Sequence, residues 1–453
     1  MKRSRLAFGT AVLLSAVISA WSFHAAKAVA QTRPAAATQV PRLEVDPLWP
    51  EPFPVEKHWA LGSVTGVTVD SRDNIWVTHR GVDSLQTNEK GPTLATWAAE
   101  CCYAAPQVLQ FDASGRLLDR WGGPGQGYQW PQNPSGIAVD SKGHVWIAAA
   151  GAPAAAGARG ARGAVAPSAA LTAAVAAAAA GRGAAGAPAA PTAAAQADAP
   201  AAQGARGARG ATAAATPAAG DAHIIKFTSG GNFLLQIGTP GQSDTPDSTT
   251  TLNRPSAIAL DEAANEVYVA DTGNRRIVVF DATTGAHKRH WFGSGDKTAG
   301  EAPPAYDPAA PAARSFRDVS CVKISRDGLV YVCDRSSNRI QVFQKNGAFV
   351  KEALVAKDTR AEGSVWDVAF SNDAQERFLY VADGLNKTVW MLQRDTLTPV
   401  SRFGDGGRYP GLFYAVARVA VDSRGNVYTG EGSEGKRVQK WINRGMGAPR
   451  PLN

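Results

Sequence analysis

Two arginines stand where a guanidinium could meet a ligand. Arg80 ends the phrase IWVTHR and Arg335 ends VYVCDR, each just beyond an apolar run that reads as a strand. A guanidinium is a planar fork of donors that grips a carboxylate in two parallel bonds, so this pair is the candidate contact for an anionic group. His79 sits beside Arg80, Asp367 is a candidate polar contact, and Trp97, Trp130, Trp291 and Trp366 are candidate aromatic walls. Other chemistry lacks its residues. The seven histidines are scattered, and no GxSxG, HExxH, P-loop or CxxC pair occurs, so nucleophilic, zincin and nucleotide chemistry have no motif to start from. No catalytic residue, metal ligand or cofactor is assigned.

These side chains are positioned by a phrase written six times. It reads GVTVDSRDNIWVTHR at 66–80, GIAVDSKGHVWIAAA at 136–150, AIALDEAANEVYVAD at 257–271 and CVKISRDGLVYVCDR at 321–335. It returns as DVAFSNDAQERFLYVAD at 367–383 and RVAVDSRGNVYTGEG at 418–432. Each copy is an apolar strand, a polar Asp/Ser/Gly turn and a second strand rich in Val, Tyr and Trp, which is a hairpin signature. Third and fourth strands follow most copies, as in RRIVVFD and HKRHWFG. Short strands repeating in fours at about 40–50 residues predict an all-β, six-bladed β-propeller. The sixth copy stops at its third strand, RVQKWI. The segment Val55–Gly62 is expected to supply the missing strand and close the ring.

Aligning the hairpins stacks two rings at the upper end of the central channel. The outer ring is Thr65, Ser135, Ser256, Ser320, Trp366 and Ala417. The next is Gly66, Gly136, Ala257, Cys321, Asp367 and Arg418. Neither offers a histidine, and Asp367 is the one carboxylate, with Arg418 expected as its ion-pair partner. Cys321 and Cys333 lie on two strands of one hairpin, either as a cross-strand disulfide or as a buried thiol pair. Cys101 and Cys102 are adjacent on a long loop. A vicinal bridge, weak metal binding and a clip elsewhere all remain open for them.

The short hairpin turns fall on one face of such a ring, and the long excursions, 80–106 and 151–220 among them, fall on the other. Insertions gathered on one side mark a binding face. The sequence divides into a signal peptide at 1–30, an extension at 31–54, the propeller at 55–445 and a tail at 446–453. The signal has Lys2, Arg3 and Arg5 before an apolar stretch, with Ala28-Val29-Ala30 as the cleavage site. Within blade two, 152–220 is nearly all Ala, Gly and Pro and is predicted to be disordered. The formal charge of +8 comes from the signal and this insert. The propeller itself is near neutral, which excludes a nucleic-acid surface. The expectation is an exported monomer, periplasmic or extracellular, with no membrane span after cleavage.

The phrases VYVADTGNRRIVVFD and VYVCDRSSNRIQVFQKNGAFV resemble the NHL repeat of six-bladed propellers. Within that class, GSVTGVTVDSRDNIWVTHRG and VYVCDRSSNRIQVF are similar to segments of the peptidyl-α-hydroxyglycine α-amidating lyases. That resemblance implies a zinc held by three histidines, a tyrosine, two arginines and a deeper calcium. Arg80 and Arg335 match the two arginines. The histidine positions are Ser135, Ser320 and Ala417 here, the tyrosine position falls in DTGNRRI, and the acidic residue associated with calcium corresponds to Arg418. The expected function is therefore binding of a small molecule, peptide, glycan or protein on the loop-rich face. The alternative is a lyase of the amidating type with an altered metal site. A sugar-lactone hydrolase would need several channel carboxylates, and Asp367 is one.

Overall fold

The computed structural model describes residues 39–96, 99–150, 221–294 and 303–452. The signal peptide, the 152–220 insert and Trp97 lie outside these residues. Six antiparallel sheets of four strands make the molecule. Their innermost strands are Val64–Val69, Pro134–Val139, Pro255–Asp261, Val319–Ile324, Asp367–Phe370 and Val416–Val421. These strands pack side by side in cyclic order, and that of blade six packs on that of blade one. The ring is a six-bladed β-propeller. Among the described residues no helix is long and apolar enough to cross a membrane.

Local chemistry accounts for the hairpins. At the first turn Asp70 Oδ1 accepts the backbone N–H of Arg72 and Asn74, both at 2.9 Å. Asp140 does the same for Lys142 and His144, and Asp422 for Arg424 and Asn426. An Asp side chain that bonds its own turn fixes where the strand reverses, and that sets the register of both strands.

The second strands carry the core. One aromatic per blade stands at the same position: Trp76, Trp146, Tyr268, Tyr331, Tyr380 and Tyr428, all buried. Each contributes about 1.5–3 kcal/mol of transfer free energy on burial. Polar tips find partners where they meet the turns, as in Trp76 Nε1 to Asp70 Oδ2 at 2.9 Å and Tyr428 Oη to Asp422 Oδ2 at 3.1 Å. In blade four Cys321 pairs directly with Cys333 across the hairpin, and the two are bonded, with Cα atoms 4.9 Å apart. Cys101 and Cys102 are bonded to each other.

An N-terminal strand does complete blade six, but it is Val40–Asp46 and not Val55–Gly62. It pairs antiparallel with Val438–Gly447, from Val40 opposite Gly447 to Asp46 opposite Lys440. The ring therefore begins before residue 55 and includes the start of the expected tail. Alternation decides the matter: Leu43 turns inward while Arg42 and Glu44 face solvent. In the other segment, prolines 52 and 54 deprive the backbone of two donors, and His58 takes a left-handed φ of 48°. Val55–Lys57 is a 3-10 turn, and only Trp59–Ala60 forms a short parallel pair with Tyr103–Ala104. That pair ties down the long loop after Arg80.

Candidate functional site at the channel mouth

The mouth is built on the last residue of each second strand. These are His79, Ala149, Asp271, Asp334, Asp383 and Glu431. Four are buried carboxylates. Asp271 Oδ1 accepts Asn253 N–H at 2.7 Å, and Asp334 Oδ1 accepts Arg317 and Asp318 N–H at 2.9 and 2.8 Å. Glu431 Oε2 accepts Tyr414 N–H at 2.6 Å. Each of these three holds the loop entering its own blade, beyond its own turn. An arginine at the start of the third strand neutralises each one: Arg276 Nε lies 2.8 Å from Asp271, Arg339 Nε lies 3.0 Å from Asp334, and Arg437 bonds Glu431. Asp383 bonds Asn386 and Trp390 Nε1 instead. Burial pushes the carboxyls of Asp271 and Asp383 upward, opposed at Asp271 by Arg276 and at Asp383 by Trp390. Blade two ends on Ala149, and Asp221 supplies the missing acceptor to Gln132 and Asn133 N–H.

His79 belongs to this framework. It is fully buried. Its Nδ1 lies 3.1 Å from Gly62 N and 3.0 Å from the Arg80 carbonyl, and its Nε2 lies 2.9 Å from the Pro106 carbonyl; the Nε2–H tautomer accepts from Gly62 and donates to Pro106. Burial lowers its pKa below the ordinary histidine value. It fills in blade one the place the carboxylates fill in blades three to six.

Arg80 and Arg335 occupy the next position outward, in blades one and four, which stand opposite in a ring of six. Their backbone N–H groups bond Ser63 and Asp318 carbonyls, both at 2.9 Å. The Arg335 side chain is anchored: Nε and Nη2 lie 2.9 and 2.8 Å from Asp318 Oδ2, and Nη1 lies 3.6 Å from Glu362. It rests over the Trp366 ring at 4.7 Å. Trp366 is itself pinned through Nε1 to the Gly363 carbonyl at 2.8 Å. Arg80 is exposed, and among the described residues its guanidinium has no side-chain partner. One arginine is shelved and the other is free to swing.

Below them lies Arg418. Its guanidinium crosses the channel to three carbonyls: Thr65 through Nε, Ser135 at 2.8 Å and Ser320 at 3.5 Å. It is deep in the fold yet keeps some accessible surface, which the channel lumen supplies. Burial lowers its pKa, Asp367 opposes that fall, and Arg335 and Arg80 add to it. The three arginines thus feel one another. The expected Asp367–Arg418 pair is not formed. Asp367 turns to Lys323 at 3.6 Å and to the N–H groups of Val368 and Val419, so it braces blades four to six.

The ring serines also have structural work. Ser135 Oγ donates to Pro255 O at 2.7 Å, Ser256 to Val319 O at 2.9 Å and Ser320 to Val365 O at 3.0 Å. Each hydroxyl stitches one blade to the next. Ser135, Ser320 and Ala417 therefore do not fit a zinc ion, and a guanidinium stands where a calcium-binding acid would be needed. Among the described residues no three His, Cys, Asp or Glu are grouped to hold a metal.

Two of the candidate tryptophans pack inward. Trp291 is 2% exposed and packs in the core against Phe343, because it ends an outer strand with its ring turned between blades three and four. Trp130 is 9% exposed, set among Trp121, Tyr128 and Phe227, with Nε1 bonded to Gln107. Its edge forms part of a groove of about 640 Å³ beside the mouth, together with Tyr128 and Gln129. Asp318, Glu362 and the carbonyl contacts of Arg418 were missed in the sequence. They act through loop backbone and side-chain reach, which leave no periodic trace.

The NHL-repeat family profile matches residues 252–280 and 316–343, the hairpins and third strands of blades three and four. Those blades are NHL repeats. No curated protein matches the chain. A solved structure from Bacteroides thetaiotaomicron VPI-5482, a structural genomics protein of unknown function, is 12% identical, with a TM-score of 0.44. It covers 84% of this chain and 70% of its own. None of these matches separates an amidating-lyase branch from other NHL propellers.

Proposed function

We propose that the NHL propeller is a binding module that takes an anionic group, a carboxylate on a small molecule or peptide, into its channel mouth. The observation that carries the reading is the arrangement of arginines. Arg80 stands free on one side, Arg335 is shelved on Trp366 and held by Asp318 on the other, and Arg418 supplies positive charge beneath. Arg335 is pre-organised, so little rotamer freedom is lost when it meets a ligand, while Arg80 closes over it. A charge-assisted bond of this kind contributes about 1.5–3 kcal/mol.

Titration with a panel of mono- and dicarboxylates, followed by calorimetry and Trp366 fluorescence, tests this. Arg80→Ala and Arg335→Ala should each weaken a binding carboxylate about tenfold or more. Unchanged affinity in both variants would remove the assignment. The signal-like N-terminus extends the proposal to an exported, monomeric protein, checked by fractionation and by light scattering. The lyase alternative needs a metal centre for which Ser135, Ser320 and Ala417 offer no ligand. Turnover of a peptidyl-α-hydroxyglycine by the purified protein would restore it.

A further inference from the structure

The contacts of Arg418 point past ligand binding in the mouth. Three backbone carbonyls, from blades one, two and four, converge on the channel axis. The hydroxyls of Ser135 and Ser320 are turned away into the neighbouring blades, so the carbonyl oxygens are what those residues present to the lumen. Converging carbonyl dipoles repel one another, and a cation between them relieves that repulsion, as in carbonyl-lined ion sites generally. At this level a Cβ on Gly66 would meet Ile137 and one on Gly136 would meet the Ser256 carbonyl, so the bare backbone lets the inner strands of blades one to three approach closely.

We propose that the channel axis is a carbonyl-lined cation site whose resident cation is the chain's own Arg418 guanidinium. It crosslinks blades six, one, two and four through charge-assisted hydrogen bonds from one planar fork. The tether makes occupancy independent of any diffusible ion, and it closes the channel, so the mouth above is a blind well with a positive floor. A Lys in the same place would keep the charge but lose the fork that spans three oxygens.

Chemical rescue tests this without reference to any mouth ligand. Arg418→Ala should lower the Tm, and free guanidinium at low millimolar concentration should raise it again with saturation. Wild type under the same additions, and the variant with urea or sodium chloride instead, should show no such rise. Recovery by potassium or calcium in place of guanidinium also supports a cation site. If Arg418→Ala melts like wild type, or folds with a lowered Tm that no cation recovers, the proposal is overturned. Should Arg418→Ala not fold, Arg418→Lys and Arg418→Met decide: the lysine variant must be the more stable, and a methionine variant at least as stable refutes the idea.

Discussion

Replacing Asp334 by alanine strips three donors of their acceptor at once. Arg339, 1% exposed, loses the carboxylate 3.0 Å from its Nε, and the N–H groups of Arg317 and Asp318 lose theirs at 2.9 and 2.8 Å. Removing one member of a buried ion pair costs about 3–5 kcal/mol, and Glu352, 3.2 Å from Arg339 Nη1, stays to share the charge left behind and holds the cost toward the lower end. The two backbone donors lie on a loop that water reaches, so their share is the smaller one. An expected loss of about 3–5 kcal/mol is then a large part of the roughly 5–15 kcal/mol that holds a folded domain. Urea denaturation of the variant, with the slope checked for constancy, reads it directly. A double-mutant cycle with Arg339→Ala should show strong non-additivity. A second effect follows from position. Asp318 holds Arg335, and Asp334 holds the backbone of Asp318, so carboxylate affinity in the mouth should fall although Asp334 touches no ligand. A loss below about 1 kcal/mol, or additive single effects, would refute the reasoning.

Two further outcomes are expected. His79 and His223 are both pushed below the ordinary histidine pKa by burial. The folded chain then binds fewer protons than the unfolded one, so stability is full above a pH of about 6.5 and is lost as pH falls below it. Stability measured from neutral pH to about 5 should fall, and the slope should shrink in His79→Asn, which keeps an acceptor for Gly62. An unchanged slope would mean that other groups carry the effect. The disulfides should differ in access: Cys101 is exposed while Cys321 and Cys333 are wholly buried. A mild dithiol followed by alkylation of native protein should label the first pair and spare the second, and equal labelling would contradict the burial.

The hairpins were legible because each is specified within about fifteen residues: an Asp that bonds its own turn, alternating apolar positions and one aromatic in the second strand. Closure was legible as a need and not as a place. Val40–Asp46 and Val55–Gly62 are both short and mix apolar with charged residues, and the alternation that favours the first is too brief to stand out until it is seen paired with Val438–Gly447. Arg80 and Arg335 announced themselves by breaking the pattern of acids at the strand ends. His79 breaks that pattern too, and serves as an acceptor for Gly62. Asp367 and Arg418 are neighbours in the aligned rings, yet a guanidinium on a long stem reached three carbonyls instead of that carboxylate. Side-chain reach of that kind has no signature in spacing.

The strand Val40–Asp46 has a consequence for how the molecule is made. Glu44 meets Arg444, 400 positions later, so all the chain between them must be made before that strand has anything to pair with. Until then the earlier sheets form a horseshoe with raw rims at both ends, open to neighbours that offer a complementary edge. Such distant pairing is slow to find, and nascent chains stalled short of the last strand are the ones a chaperone would have to shelter.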